Sequence, residues 1–111
     1  MKNTIINKDG IPTLQVNDPN ELQGYKLIDV RRPDEFSGEL KHISGAELAT
    51  LGPDLESFLQ KEDKNQKILF ICRSGMRSAN ATSIAMNMGF KDVYNMEGGM
   101  LLWNEKRFPT V

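Results

Sequence analysis

A chain of 111 residues, 39% apolar and 26% charged, can bury one hydrophobic core and not two, so a single domain over 1–111 is expected. A formal net charge of −1 gives no electrostatic reason to expect nucleic acid or an anionic membrane as partner, so any anion affinity must be local. One cysteine excludes an internal disulfide, and the opening MKNTIINKDGIPTLQV, broken by Gly10 and Pro12, lacks the apolar core of a secretory signal. No later run approaches the roughly 18 apolar residues of a membrane span, and a cytoplasmic protein is expected.

Thr13 to Val16 reads as a first, short strand, after which Asn17, Asp18 and Pro19 supply a cap and first turn for a helix to about Leu22, ended by Gly24. Lys26 to Val30 is a buried strand, and the polar RRPDEFSGE suits a loop and a short helix from Pro33. Ile43, Ala46 and Leu48 mark a weak extended segment. Pro53 opens a helix whose Leu55, Phe58 and Leu59 fall on one face, with KEDKNQ as its solvated exit.

The apolar run Ile68 to Ile71 is a strand that stops at Cys72. A helix starting near Ser78 carries Ala81, Ile84, Ala85 and Met88 on one face, and Gly89 stands where a left-handed end residue is wanted. Asp92 to Asn95 is a strand, and Gly98 to about Lys106 a last helix with Leu101, Leu102 and Trp103. Strands alternating with helices predict an α/β fold, a mostly parallel sheet of roughly five strands with helices on both faces, and ligands outside the carboxyl ends of the strands.

Cys72 stands at such an end, inside KILFICRSGMRS. A strand, a tight loop and a helix N-terminus make an anion cradle, because unpaired backbone N–H groups and the positive end of the helix dipole converge. A thiolate is stabilised by such an end and by nearby cations, here Arg73 and Arg77, and thiolate is the nucleophilic form. Gly75 lets the backbone turn and approach a ligand closely, while Ser74 and Ser78 can donate hydroxyl hydrogen bonds or cap the helix. The lone His42 has no cysteine cluster at metal-ligand spacing, so neither a metal nor a cofactor is expected. No GxxxxGK[ST] or GxGxxG loop occurs. Asp29 ends a strand, but no histidine is placed to join it and a serine in a triad.

Two stretches then resemble the single-domain rhodaneses, a family of sulfurtransferases. LIDVRRPDEFSGELKHISGAELA is similar to the family's first signature, a strand ending Asp-Val-Arg that leads through Glu-Phe to His-Ile-x-Gly-Ala. FICRSGMRSANATSIAMNMGFKDVYNMEGGMLLW resembles its second half: the cysteine loop, a helix, Gly-Phe, a strand, and Gly-Gly before Trp. The motif-bearing region is about 13–106. Ser44 stands where proline is frequent in the family, and Lys41 where glycine is.

The resemblance implies that Cys72 is the catalytic residue and that the main chain of Arg73, Ser74, Gly75, Met76 and Arg77 binds the sulfur. It implies that Asp29 and Arg31 form a polar network beside the site, with His42 and Ser78 in support. The implied reaction takes a sulfane sulfur from thiosulfate or a persulfide, carries it as a Cys72 persulfide, and delivers it to cyanide or a thiol. The expected partners are a small sulfane-sulfur donor and a thiol or sulfur-acceptor protein, on a monomer or weak homodimer. Two alternatives stand beside it. One is a non-catalytic interaction or regulatory module on the same fold. The other is a cysteine-dependent phosphatase or arsenate reductase, whose Cys-x5-Arg loop wraps three oxygens, whereas Cys72 and Arg77 enclose only the four residues RSGM.

Overall fold

In the computed structural model, which describes residues 2–111, two strands from Thr4 onward are followed by strands and helices in alternation. The strands are β1 (Thr4–Lys8), β2 (Ile11–Gln15), β3 (Lys26–Asp29), β4 (Glu47–Leu48), β5 (Ile68–Ile71) and β6 (Val93–Met96). The helices are α1 (Pro33–Phe36), α2 (Pro53–Lys61), α3 (Met76–Asn87) and α4 (Gly99–Glu105), with a 3-10 turn at Pro19–Leu22. One six-stranded sheet results, in the order β1-β2-β6-β5-β3-β4. Every neighbouring pair is parallel except the β1–β2 hairpin.

The hairpin is the main departure from the sequence reading, which expects five strands and treats Gly10 and Pro12 as breaks. Asp9 and Gly10 both take left-handed backbone, at φ 55° and 83°, the two-residue turn that an Asp-Gly pair favours between antiparallel strands. Pro12 is tolerated because pairing of β2 with β6 begins only at Thr13. The weak segment near Ile43 contracts to the two residues of β4, and the remaining strands and helices lie within a few residues of their expected bounds.

Period-two alternation along β5 sorts the core into two layers. Ile68, Phe70 and Cys72 face one way, among Leu55, Leu59, Ala81 and Ala85 of α2 and α3. Leu69 and Ile71 face the other, against Leu22, Met100 and Trp103. All four β5 positions and Cys72 are fully buried, and because β5 ends at Ile71 the cysteine is the next residue in register and its sulfur emerges on the α3 side. On the last helix Leu101 is 40% exposed, while Met100, one residue earlier, is buried.

Candidate active site

The site is built where β5 runs into α3. Gly75 caps α3 with φ +102°, a conformation that side chains with a Cβ resist, and this turn sends its backbone N–H to the Cys72 sulfur at 3.0 Å. The helix therefore starts at Met76, two residues before the expected position. Ser78 is not its cap but a buried residue of the first turn, with Oγ 3.2 Å from Cys72 Sγ. Met76 is 80% exposed, and Arg73 and Ser74 also face solvent.

The far side of the loop is held by α4. Met100 N–H donates to the Cys72 carbonyl at 2.8 Å and Leu101 N–H to the Arg73 carbonyl at 2.9 Å. Such an approach needs Gly99, since a Cβ there would stand 2.5 Å from both carbonyl oxygens. This is the physical content of the Gly-Gly pair in the sequence.

The two loop arginines part company. Arg77 turns its guanidinium to Glu35 of α1 and makes two parallel hydrogen bonds, at 2.7 and 2.8 Å. That fork, helped by the Arg32 backbone N–H, holds the Glu35 carboxyl down at about 2, against the opposing effect of its partial burial. Among the described residues Arg73 forms no ion pair.

Asp29 and Arg31 form a buried pair at the end of β3, with Arg31 Nε and Nη2 at 2.9 and 2.8 Å from the two carboxylate oxygens. Two further Arg31 hydrogens reach the carbonyls of Glu35 and Lys41, so every guanidinium nitrogen has a partner without exposure. His42 stacks on Phe36, with ring centroids 3.7 Å apart, and its Nδ1 donates to the Phe36 carbonyl at 2.9 Å. These three residues brace the wall formed by α1; among the described residues none of them is hydrogen-bonded to the cysteine.

Asn95 is the site residue that the sequence reading passed over. From β6 it donates through Nδ2 to the Gly75 carbonyl at 3.1 Å and accepts the Ser78 hydroxyl at Oδ1. A signal was present: Asn95 shares its strand parity with Val93, so a polar side chain was due on the core side. Glu35 was missed as well, because nothing in local spacing joins it to a residue 42 positions away.

Two clefts flank the loop. One, of about 270 Å³, lies between Ser74, Gly75 and Met76 and the β1–β2 hairpin at Lys8 and Ile11. The other, of about 210 Å³, lies between Arg73 and the α1 region at Glu35, Glu39 and Leu40.

A mostly parallel α/β sheet with one buried cysteine at the carboxyl end of a central strand, cradled by a short turn into a helix, defines a class of single-domain cysteine-loop proteins. The family described as Rhodanese-like domain matches residues 14–106, and the chain belongs to that family. It is 36% identical over 88 residues to the thiosulfate sulfurtransferase GlpE of Pseudomonas fluorescens, covering 79% of this chain and 77% of that protein. It is 29% identical over 122 residues to rhodanese-like domain-containing protein 17 of Arabidopsis thaliana, covering 96% of this chain and 77% of the relative. Among solved structures it is similar to a rhodanese-related protein of Thermoplasma volcanium, with a TM-score of 0.76 at 27% identity, covering 89% of this chain and 96% of that one.

Proposed function

We propose that this protein is a sulfurtransferase that carries a sulfane sulfur on Cys72, taking it from thiosulfate or a persulfide and passing it to cyanide or a thiol. The observation that carries the reading is the Gly75 N–H aimed at Cys72 Sγ at 3.0 Å, at the start of a twelve-residue helix. Family membership and relatives named as sulfurtransferases support the same chemistry.

In the first half-reaction the Cys72 thiolate attacks the outer sulfur of the donor. The donor's S–S bond breaks, and its electron pair leaves with sulfite or a thiolate. The new outer sulfur is anionic, and fixed backbone N–H dipoles offset that charge as an oxyanion hole does for oxygen. In the second half-reaction a nucleophile attacks the outer sulfur and Cys72 leaves as thiolate. The four residues between Cys72 and Arg77, and the engagement of Arg77 by Glu35, favour a single charged atom over a tetrahedral oxyanion.

Arg73 is the cation available to an anionic donor, across a cleft whose Asp34 and Glu35 carboxylates are already paired with Arg32 and Arg77. Incubation with thiosulfate and with a low-molecular-weight persulfide, followed by intact-mass measurement, tests the reading. One sulfur adds about 32 Da at Cys72; no gain with either donor rules it out.

A further inference from the structure

The Ser78 hydroxyl has one proton and two acceptors in reach: Cys72 Sγ at 3.2 Å and Asn95 Oδ1 at 2.5 Å. The Asn95 amide is fixed in orientation by the bond from its Nδ2 to the Gly75 carbonyl. Turned over, it would set oxygen against oxygen at Gly75 and offer Ser78 a donor in place of an acceptor. Cys72 and Ser78 are 0% exposed and Asn95 5%, so the hydroxyl chooses between these two acceptors.

The charge on sulfur decides the choice. A neutral sulfur, in a thiol or as the inner atom of a persulfide, is a weak acceptor, and the amide oxygen holds the proton. A thiolate makes a charge-assisted bond, roughly twice as strong as a neutral one, and a rotation about the Ser78 Cβ–Oγ bond delivers the hydroxyl to it.

We propose that Asn95 is a positioning residue of the transfer cycle, which draws the Ser78 hydroxyl off Cys72 while the sulfur is loaded and so opposes discharge. The proposal rests on the sulfurtransferase reading above. In exchange with glutathione persulfide, the Cys72 thiolate attacks the outer sulfur and the glutathione S–S bond breaks. Its electron pair stays on the glutathione sulfur, which takes up the proton of the outer sulfur, leaving the Cys72 persulfide anion and glutathione. The Ser78 hydroxyl turns from Cys72 to Asn95 without giving up its proton. Asn95 therefore moves this equilibrium towards the loaded form.

The test equilibrates the full chain with fixed ratios of glutathione persulfide to glutathione and reads the loaded fraction from intact mass. Asn95→Ala is expected to lower the loaded-to-free ratio by about two- to tenfold, the weight of one neutral hydrogen bond. Ser78→Ala raises the ratio, because the thiolate loses its donor, and adding Asn95→Ala to it changes nothing further.

If Asn95 merely braced the loop through Gly75, Asn95→Ala would act equally with and without Ser78, and that result overturns the proposal. A wild-type chain that gains no mass removes the sulfurtransferase reading and the proposal together; one that loads while the single effects add removes the proposal alone.

Discussion

The immediate surroundings of the sulfur and the belt of charges beside it are built on opposite plans. The groups hydrogen-bonded to Cys72 are neutral: the Gly75 N–H, the Ser78 hydroxyl and, behind it, the Asn95 amide. In the belt, Asp29 with Arg31 and Glu35 with Arg77 are matched ions, and each pair joins two elements. Arg31 ties the end of β3 to α1 and to the backbone at Lys41, and Arg77 ties α3 to α1. An arginine cancelled by a carboxylate at 2.7 Å projects little net field onto a sulfur. The difference teaches that stabilisation of the sulfur falls to oriented dipoles, while the ions hold the walls in which those dipoles are fixed.

The sharpest division between the two plans comes from Cys72→Ser. Sulfur loading should vanish while the fold persists, with mass measurement and circular dichroism as the two readouts; turnover equal to wild type would place the nucleophile elsewhere. On the belt side, Asp29→Ala leaves a buried guanidinium without its counter-ion and should destabilise by about 3–5 kcal/mol in urea unfolding. A loss below about 1 kcal/mol would mean that the belt is not structural.

Gly99→Ala probes the seam between the plans. Its Cβ would meet the Cys72 and Arg73 carbonyls, and its φ of +56° is already strained for alanine, so a loss of about 1–3 kcal/mol is expected together with slower loading. Unchanged loading kinetics would separate α4 from the cradle.

Glu35→Gln should lower stability at neutral pH by about 1 kcal/mol, a value reduced by solvent screening of the half-exposed Arg77. Because the folded carboxyl sits at about 2 and the ordinary value is 4.5, this contribution is complete above 4.5 and is lost as pH falls through 2. The gap between wild type and variant in urea midpoint should therefore close over that window; a constant gap would show that the ion pair is not its source. The smallest effect belongs to Arg73→Ala. Thiosulfate KM should rise about two- to fivefold, less at high salt, with stability unchanged. An unaltered KM would take Arg73 out of donor binding.

Most of the cradle was legible because its parts are consecutive. Ile68 to Ile71, Cys72, Gly75 and the apolar stripe of α3 lie within one local pattern, and strand-loop-helix punctuation locates the sulfur without tertiary knowledge. The start of α3 was misplaced because a serine is the commoner cap, whereas here Gly75 must serve both as cap and as the turn that aims its own N–H. The belt was half legible. Asp29 and Arg31 sit two residues apart at a strand end, but the partner of Arg77 lies on a separate element, and only the parallel packing of β3 beside β5 brings α1 within its reach. The hairpin went unread because Pro12 and the polar residues of β1 outweighed Asp9-Gly10. A strand at the sheet edge is solvated on most of its surface and shows little of the apolar pattern that betrays an interior one.

The two hydrogen bonds from α4 to the loop also polarise it. In a trans peptide the C=O and the following N–H point in opposite directions. With the carbonyls of Cys72 and Arg73 claimed by Met100 and Leu101, the N–H groups of Arg73 and Ser74 must face away from α4, and neither carbonyl is free to swing round and present its negative end to an anion. The helix thus acts as a keeper of peptide direction: a chain that kept all of KILFICRSGMRS but lost α4 would retain Cys72 while its surrounding dipoles were free to reverse.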